Sequence, residues 1–263
     1  MRQSIDRRAG ARAIDAAVVS IVIATLAIGI AVDASGAWWA QPSVSAGTWV
    51  VLAWIVSRST PASRRELAVC VVLATLGELF LKDVWGLYTY RLGNLPLFIP
   101  PGHAIVYAAS VRMSRSMPHW LPAIVVTVFG GYVGYAALRG FDTFGLLWFA
   151  AFLAYVVFSA NRRLCAMLFV FALAIEVYGT RLGGWRYFTI EPWFGLTTTN
   201  PPVWVGAIYC TLETLVRCAT VVLSGLKSPS HELSYLRGRA SRAVDDSHRP
   251  ALDLCVGLRR DTR

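Results

Sequence analysis

Eight apolar runs, each close to the length of a membrane-crossing helix, constrain this chain more than any other feature. They lie near 13–32, 38–57, 66–83, 97–113, 119–138, 143–160, 164–180 and 202–223 of its 263 residues. A helix rises ~1.5 Å per residue, so a span across ~30 Å of hydrocarbon needs roughly 20 mostly apolar residues. Composition agrees. Mean hydropathy is +0.53, and 56% of residues are apolar against 15% charged, a balance foreign to ordinary soluble domains. The expected fold is an all-α integral membrane protein of about eight transmembrane helices. It has a basic cytoplasmic N-terminus (1–12), a polytopic membrane domain (13–224) and a disordered cytoplasmic tail (225–263), where Arg, Ser and Asp recur with few large apolar residues.

The net charge of +10 raises the question of nucleic acid, and its distribution answers it. With the N-terminus inside, the outer loops receive only Lys82, Arg91, Arg139, Arg181 and Arg186, and Arg217 falls within the last run. All the others of the 25 Lys and Arg fall inside. This is the positive-inside asymmetry of a cell-membrane protein with both termini cytoplasmic. The basic charge orients the chain, and no nucleic-acid partner is expected. Contact of the tail with anionic lipid is a secondary reading.

Cys70, Cys165, Cys210, Cys218 and Cys255 show no CxxC and no metal-ligand spacing, so they read as small buried apolar residues. No metal and no cofactor are expected. The first apolar run is long for the core of a signal peptide and reads as an uncleaved helix.

Two acids stand at corresponding places in two similar surroundings. Arg65 ends one inner loop and Glu78 follows; Arg163 ends another and Glu176 follows at the same spacing. After each Glu comes a glycine-aromatic stretch, Gly86-Leu-Tyr88-Thr-Tyr90 against Gly183-Gly-Trp185-Arg-Tyr187. After each stretch comes a proline pair, Pro100-Pro101 and Pro201-Pro202, suited to open the next helix. Asn200 reads as the cap of the last helix. The order implies two four-helix repeats, about 13–113 and 119–224. An even number of helices per repeat gives both the same orientation, a parallel repeat.

The candidate catalytic residues are Glu78, Glu176 and His103. An acid inside the bilayer costs ~2.5–3.5 kcal/mol at the centre on insertion scales, so it usually has a compensating role. Two acids at one cavity suit proton chemistry, one donating while its partner steadies a cation or takes a proton back. The structural alternative pairs them with Arg91, Arg181 or Arg186. His103, in "PPGHA", has no HxxxH or HExxH partner for a metal; it either hydrogen-bonds Glu78 or caps a loop carbonyl. Tyr88, Tyr90, Trp185, Tyr187 and Asn200 are the candidate substrate-binding residues, the rings lining a cavity for a greasy substrate. Their alternative is an interfacial aromatic belt. Lys82 and Asp83 read as an interfacial pair, and Glu213 and Arg217, four apart, as a structural ion pair within the last helix. Phosphate loops, nucleotide fingerprints, nucleophile elbows and histidine boxes are absent from the sequence.

The motif Glu176-Val-Tyr-Gly179-Thr180-Arg-Leu-Gly183, followed by Trp185 and Tyr187, resembles that of the multi-pass carotenoid-biosynthesis proteins that include the bacterial carotenoid hydratases. Those proteins pair such a Glu motif with a Tyr-containing loop and a Pro opening the next helix. The chain departs from them in carrying Pro-Pro in both copies and Pro-Pro-Gly-His in the first. The resemblance implies acid-initiated addition to, or cyclisation of, an isoprenoid alkene, with Glu176 as proton donor or its partner.

The expected function is therefore an integral membrane enzyme, a hydratase or cyclase. It acts on a lipophilic, isoprenoid or carotenoid-like substrate by carboxylic-acid proton chemistry. The alternatives are a proton-coupled transporter that uses the acids as a relay, and a scaffold whose acids are merely paired. Membrane lipids and the lipophilic substrate are the expected partners, and the sequence leaves oligomeric state open.

Overall fold

The computed structural model describes residues 2–159 and 161–226, with side chains over 13–159 and 161–225. Residues 1–220 form one compact unit, which holds every group of the site below; a second unit begins at Val221. Among the described residues there are eight α-helices: α1 (Arg2–Ala34), α2 (Ala40–Ser57), α3 (Pro61–Leu79), α4 (Ile99–Ser116), α5 (Leu121–Leu138), α6 (Thr143–Phe158), α7 (Arg162–Arg181) and α8 (Val205–Leu226). A single π-helical turn, Phe80–Val84, continues α3. Two short strands, β1 (Tyr88–Tyr90) and β2 (Trp185–Tyr187), pair antiparallel. The expected tail lies almost wholly outside the described residues.

The N-terminal dozen residues are helical. They belong to α1 from Arg2 onward, because Arg, Gln and Ala favour helix. Among the described residues four helices are long and apolar enough to cross a membrane: Ala13–Ala34, Leu121–Leu138, Arg162–Arg181 and Val205–Gly225. α6 is apolar but shorter. The charges at Arg64, Arg65 and Glu66 in α3 and at Arg112 and Arg115 in α4 shorten the apolar length of those helices. The surface is apolar where a soluble protein would be polar, with Val50, Val128, Leu138 and Phe158 facing outward while Glu78, Glu176 and Glu213 are buried. That inversion suits a lipid environment.

Local signals explain the helix starts. The Thr60 hydroxyl accepts from the Ser63 N–H at 3.3 Å, and Pro61 occupies the first turn of α3. Asp142 Oδ1 accepts from the Gly145 N–H at 3.0 Å and caps α6. Pro100 and Pro101 stand in the first turn of α4, as expected. The second proline pair behaves differently. α8 starts at Val205, led in by bonds from Gly206 to the Val203 carbonyl and from Ala207 to the Trp204 carbonyl. Pro201-Pro202 therefore precedes the helix, after a cis Asn200–Pro201 bond. Asn200 is not the cap; its Oδ1 accepts from the Tyr187 N–H at 3.4 Å.

Two apolar cores organise the helices. One gathers Val18, Leu52, Cys70 and Ala108 of α1–α4 with Val216 of α8. The other gathers Val125, Phe152, Phe169 and Cys210 of α5–α8. A third cluster joins them around the two strands, with Phe144 and Trp204 beneath the strand aromatics.

Candidate active site

The two strands cross-link the two acidic segments. Their register pairs Tyr88 with Tyr187, Thr89 with Arg186 and Tyr90 with Trp185. Alternation along a strand sends every second side chain to one face. Tyr88, Tyr90, Trp185 and Tyr187 accordingly point inward and are buried, while Thr89 and Arg186 are exposed. Each strand is entered two residues after a glycine with positive φ, Gly86 at +77° and Gly183 at +75°, a backbone that side-chain-bearing residues rarely adopt. The flanking bonds mirror each other: Phe188 N–H donates to the Leu87 carbonyl at 3.1 Å, and Arg91 N–H to the Gly184 carbonyl at 2.9 Å. The ribbon thus has a local two-fold centred on the Thr89–Arg186 pair.

Each strand delivers its aromatics to the acid on its own half. Tyr88 and Tyr90 donate their hydroxyls to Glu78 Oε2 at 2.5 and 2.6 Å. Trp185 donates its indole N–H to Glu176 Oε2 at 2.6 Å, and Tyr187 its hydroxyl to the same atom at 2.9 Å. The chain separation from acid to strand is one residue longer in the first half. The π turn absorbs it, with Trp85 N–H bonding back to the Phe80 carbonyl at 2.8 Å. A π turn is a one-residue insertion into a helix and recurs at functional sites. Gly179 has the matching task on α7. A Cβ there would lie 2.0 Å from Cη2 of Trp185, so only glycine admits the indole that reaches Glu176.

Besides the Tyr88–Trp185 exchange and the π turn, the halves differ after the proline pair. His103 follows Pro100-Pro101 as Trp204 follows Pro201-Pro202. His103 Nε2 lies 3.3 Å from Glu78 Oε1, whereas Trp204 donates to the Thr198 hydroxyl at 2.9 Å. His103 Nδ1 lies 3.0 Å from the Ile99 carbonyl, and a carbonyl only accepts. Nδ1 therefore donates to that carbonyl, which leaves Nε2 facing Glu78 Oε1. Tyr209 stacks on the imidazole, with ring centroids 5.0 Å apart. Among the described residues nothing hydrogen-bonds Oε1 of Glu176. One acid is thus fully engaged, and the other keeps an oxygen free.

Both acids line one cavity of about 70 Å³, together with His103, Tyr88, Tyr90, Trp185, Tyr187 and Tyr209. The structural alternative of arginine pairing is absent here among the described residues. Arg91 reaches Asp33, 3.7 Å from its carboxylate and 2.7 Å from its carbonyl. The ring of Tyr88 lies 5.0 Å from that of Tyr187, so the two acids are bridged by aromatic contact. Asn200 stands apart: it lines a separate depression with Phe129, Tyr132 and Pro201. Glu213 and Arg217 pair at 3.4 Å as expected, outside the cavity. Lys82 and Asp83 also pair.

Some residues carry more of the site than their sequence signals suggest. Glu191 in "EPWFG" is buried and accepts from the Trp85 indole at 2.7 Å and from the backbone N–H groups of Trp193 and Phe194. It ties the loop after β2 to the π turn, where Trp85 and Trp193 stack at 4.6 Å. Burial pushes its carboxyl up, but the Trp85 indole and the amides of Phe194, Trp193 and Gly195 outweigh this and hold it below the ordinary 4.5. Tyr209 gave no signal beyond an aromatic in an apolar run.

No family model matches the chain, and no curated protein or solved structure does.

Proposed function

We propose that the chain is an integral membrane enzyme that protonates an alkene of a lipophilic, isoprenoid-like substrate, leading to hydration or cyclisation. In this reading all eight helices cross the membrane as two parallel four-helix repeats, with both termini cytoplasmic. The local two-fold of the ribbon and the matched acid-to-strand wiring support the repeat. The observation that carries the chemistry is the unequal pair of carboxyls at one cavity: Glu176 with a free Oε1, Glu78 coupled to His103.

Glu176 is the proton donor. Its Oε2 is held by Trp185 and Tyr187, which leaves Oε1 to carry the proton toward a bound alkene. Protonation forms a C–H bond and a carbocation. The π faces of Tyr88, Tyr187 and Trp185 and the Glu78 carboxylate stabilise that cation. Water adds to it and the resulting oxonium loses a proton, or a second double bond of the substrate closes a ring onto it and the new ring cation loses a proton from the adjacent carbon, forming a double bond. The proton then released passes to the Glu78–His103 pair, and exchange within the shared cavity restores the acid on Glu176. Tyr90 and Tyr88 hold Glu78 in place.

A proton-coupled carrier would need a polar path toward the opposite end of the bundle. The depression at that end, lined by Ser114, Arg115, His119 and Asn161–Leu164, shares no lining residue with the acid cavity. The enzyme is the better reading. Its test is a mass-spectrometric comparison of lipids from an isoprenoid-producing host expressing wild type, Glu78→Gln or Glu176→Gln at equal protein level. A lipid species present with wild type and absent with both variants is expected. Identical profiles in all three would overturn the assignment.

A further inference from the structure

The acid cavity is small. Its 70 Å³ compares with the ~10–15 Å³ that one water requires, so only the end of a lipid enters, and the rest of the molecule lies elsewhere. The cavity wall indicates where. Six lining residues come from α1 and α2: Thr25, Leu26, Gly29, Ile30, Val44 and Thr48. None comes from α5 or α6.

Four of those six, Thr25, Gly29, Val44 and Thr48, also line a groove of about 420 Å³ between α1 and α2. Ile21 and Ile28, both exposed, flank it. Its other walls are small or aliphatic, Ala24, Val32 and Gly47 among them, and it contains no aromatic ring. From Ile21 to Val32 it runs roughly 16 Å at ~1.5 Å per residue, about half of a ~30 Å hydrocarbon core.

The other half is closed at the corresponding place. A Cβ on Gly130 of α5 would meet Phe149 of α6 at 3.2 Å, much as one on Gly29 of α1 would meet Val44 of α2 at 3.1 Å. Beside Gly130, however, Phe149 and Phe152 pack on each other at 5.6 Å, and Phe152 packs on Phe169 at 4.3 Å. Rings fill what the first half leaves open.

Resting on the proposed function, we infer that the α1–α2 groove is the lateral entry and tail site of the substrate. A linear isoprenoid hydrocarbon chain lies in the groove, in contact with lipid, and its terminal alkene reaches Glu78 and Glu176. Apolar burial drives the tail into the groove. The narrow glycine-lined walls select an acyclic chain over one already ringed.

Photo-crosslinking on the full chain in lipid nanodiscs tests this. The probes are two diazirine-bearing linear alkenes, one of four prenyl units and one of two. In wild type the long probe is expected to label α1 and α2 around Ile28 and Val51, and the short probe the cavity around Tyr209. Gly47→Leu places a side chain in the groove from an open position, since an added Cβ there meets nothing within 4 Å, and leucine favours helix over glycine. It is expected to cut long-probe labelling at least tenfold while the short probe still labels the cavity. Undiminished long-probe labelling in the variant, or wild-type labelling around Phe129 and Tyr132 instead, overturns the groove. Lipid conversion separates the two ideas. Conversion lost in Glu176→Gln with long-probe labelling intact in Gly47→Leu defeats the groove alone. The converse pattern defeats the acid chemistry alone.

Discussion

Replacing Gly179 by alanine tests whether the indole of Trp185 is wedged against α7 to reach Glu176. The added Cβ would stand 2.0, 2.2 and 2.6 Å from Cη2, Cζ2 and Cζ3 of Trp185. Carbon atoms prefer ~3.5–4.0 Å, so the ring must retreat by about 1.5 Å. The 2.6 Å bond from its N–H to Glu176 does not survive that movement. Overpacking costs ~1–3 kcal/mol, and a buried indole N–H left without its acceptor ~1–3 kcal/mol. Alanine returns ~0.5–1 kcal/mol of helix preference. The net is a destabilisation of about 1–5 kcal/mol. Unfolding followed by circular dichroism in mixed micelles measures it, and near-ultraviolet dichroism reports the indole. Trp185→Phe in the Gly179→Ala background removes the clash and recovers most of the packing loss, a coupling that a double-mutant cycle reads directly. A Gly179→Ala protein within ~0.5 kcal/mol of wild type, with an unchanged indole signal, would refute the wedge.

The Glu191 carboxyl is held below its ordinary 4.5, so its contribution to stability is complete above about pH 4.5 and disappears as pH falls through the lower folded value. The melting-temperature gap between wild type and Glu191→Gln is therefore expected to be constant from neutral pH to about 5 and to close in stronger acid; a gap that persists there contradicts the loop anchor. His103→Gln is expected to slow lipid conversion by roughly 10²-fold or more, the usual weight of general acid–base catalysis, with the melt little changed. A loss below tenfold would remove His103 from proton transfer.

The helices were legible because each spends its length in one environment, and the apolar runs locate all eight cores to within a few residues at most ends. The start of α1 was not, since Arg2–Arg12 carries helix-favouring residues but no apolar run. The acids were legible through their cost in an apolar run, and Tyr88, Tyr90, Trp185 and Tyr187 through their place after each acid. The strands themselves were hidden. Three residues hold too little alternation to be read, and their pairing joins positions about a hundred residues apart. The π turn was hidden for a different reason: it appears in the sequence only as one extra residue between Glu78 and Tyr88. Asn200 misled because Asn before Pro-Pro imitates a helix cap, while the carbonyls of Val203 and Trp204 begin the helix instead.

The most direct test of acid-initiated alkene chemistry is isotopic. Purified protein in nanodiscs is incubated with lipid extract from an isoprenoid-producing host, in H2O and in D2O, and the products are weighed after back-exchange of hydroxyl hydrogens. Protonation by Glu176 leaves a single non-exchangeable deuterium on carbon in the wild-type product, and none is gained with Glu176→Gln. A product formed in D2O without carbon-bound deuterium, or no change in any lipid, would contradict the mechanism.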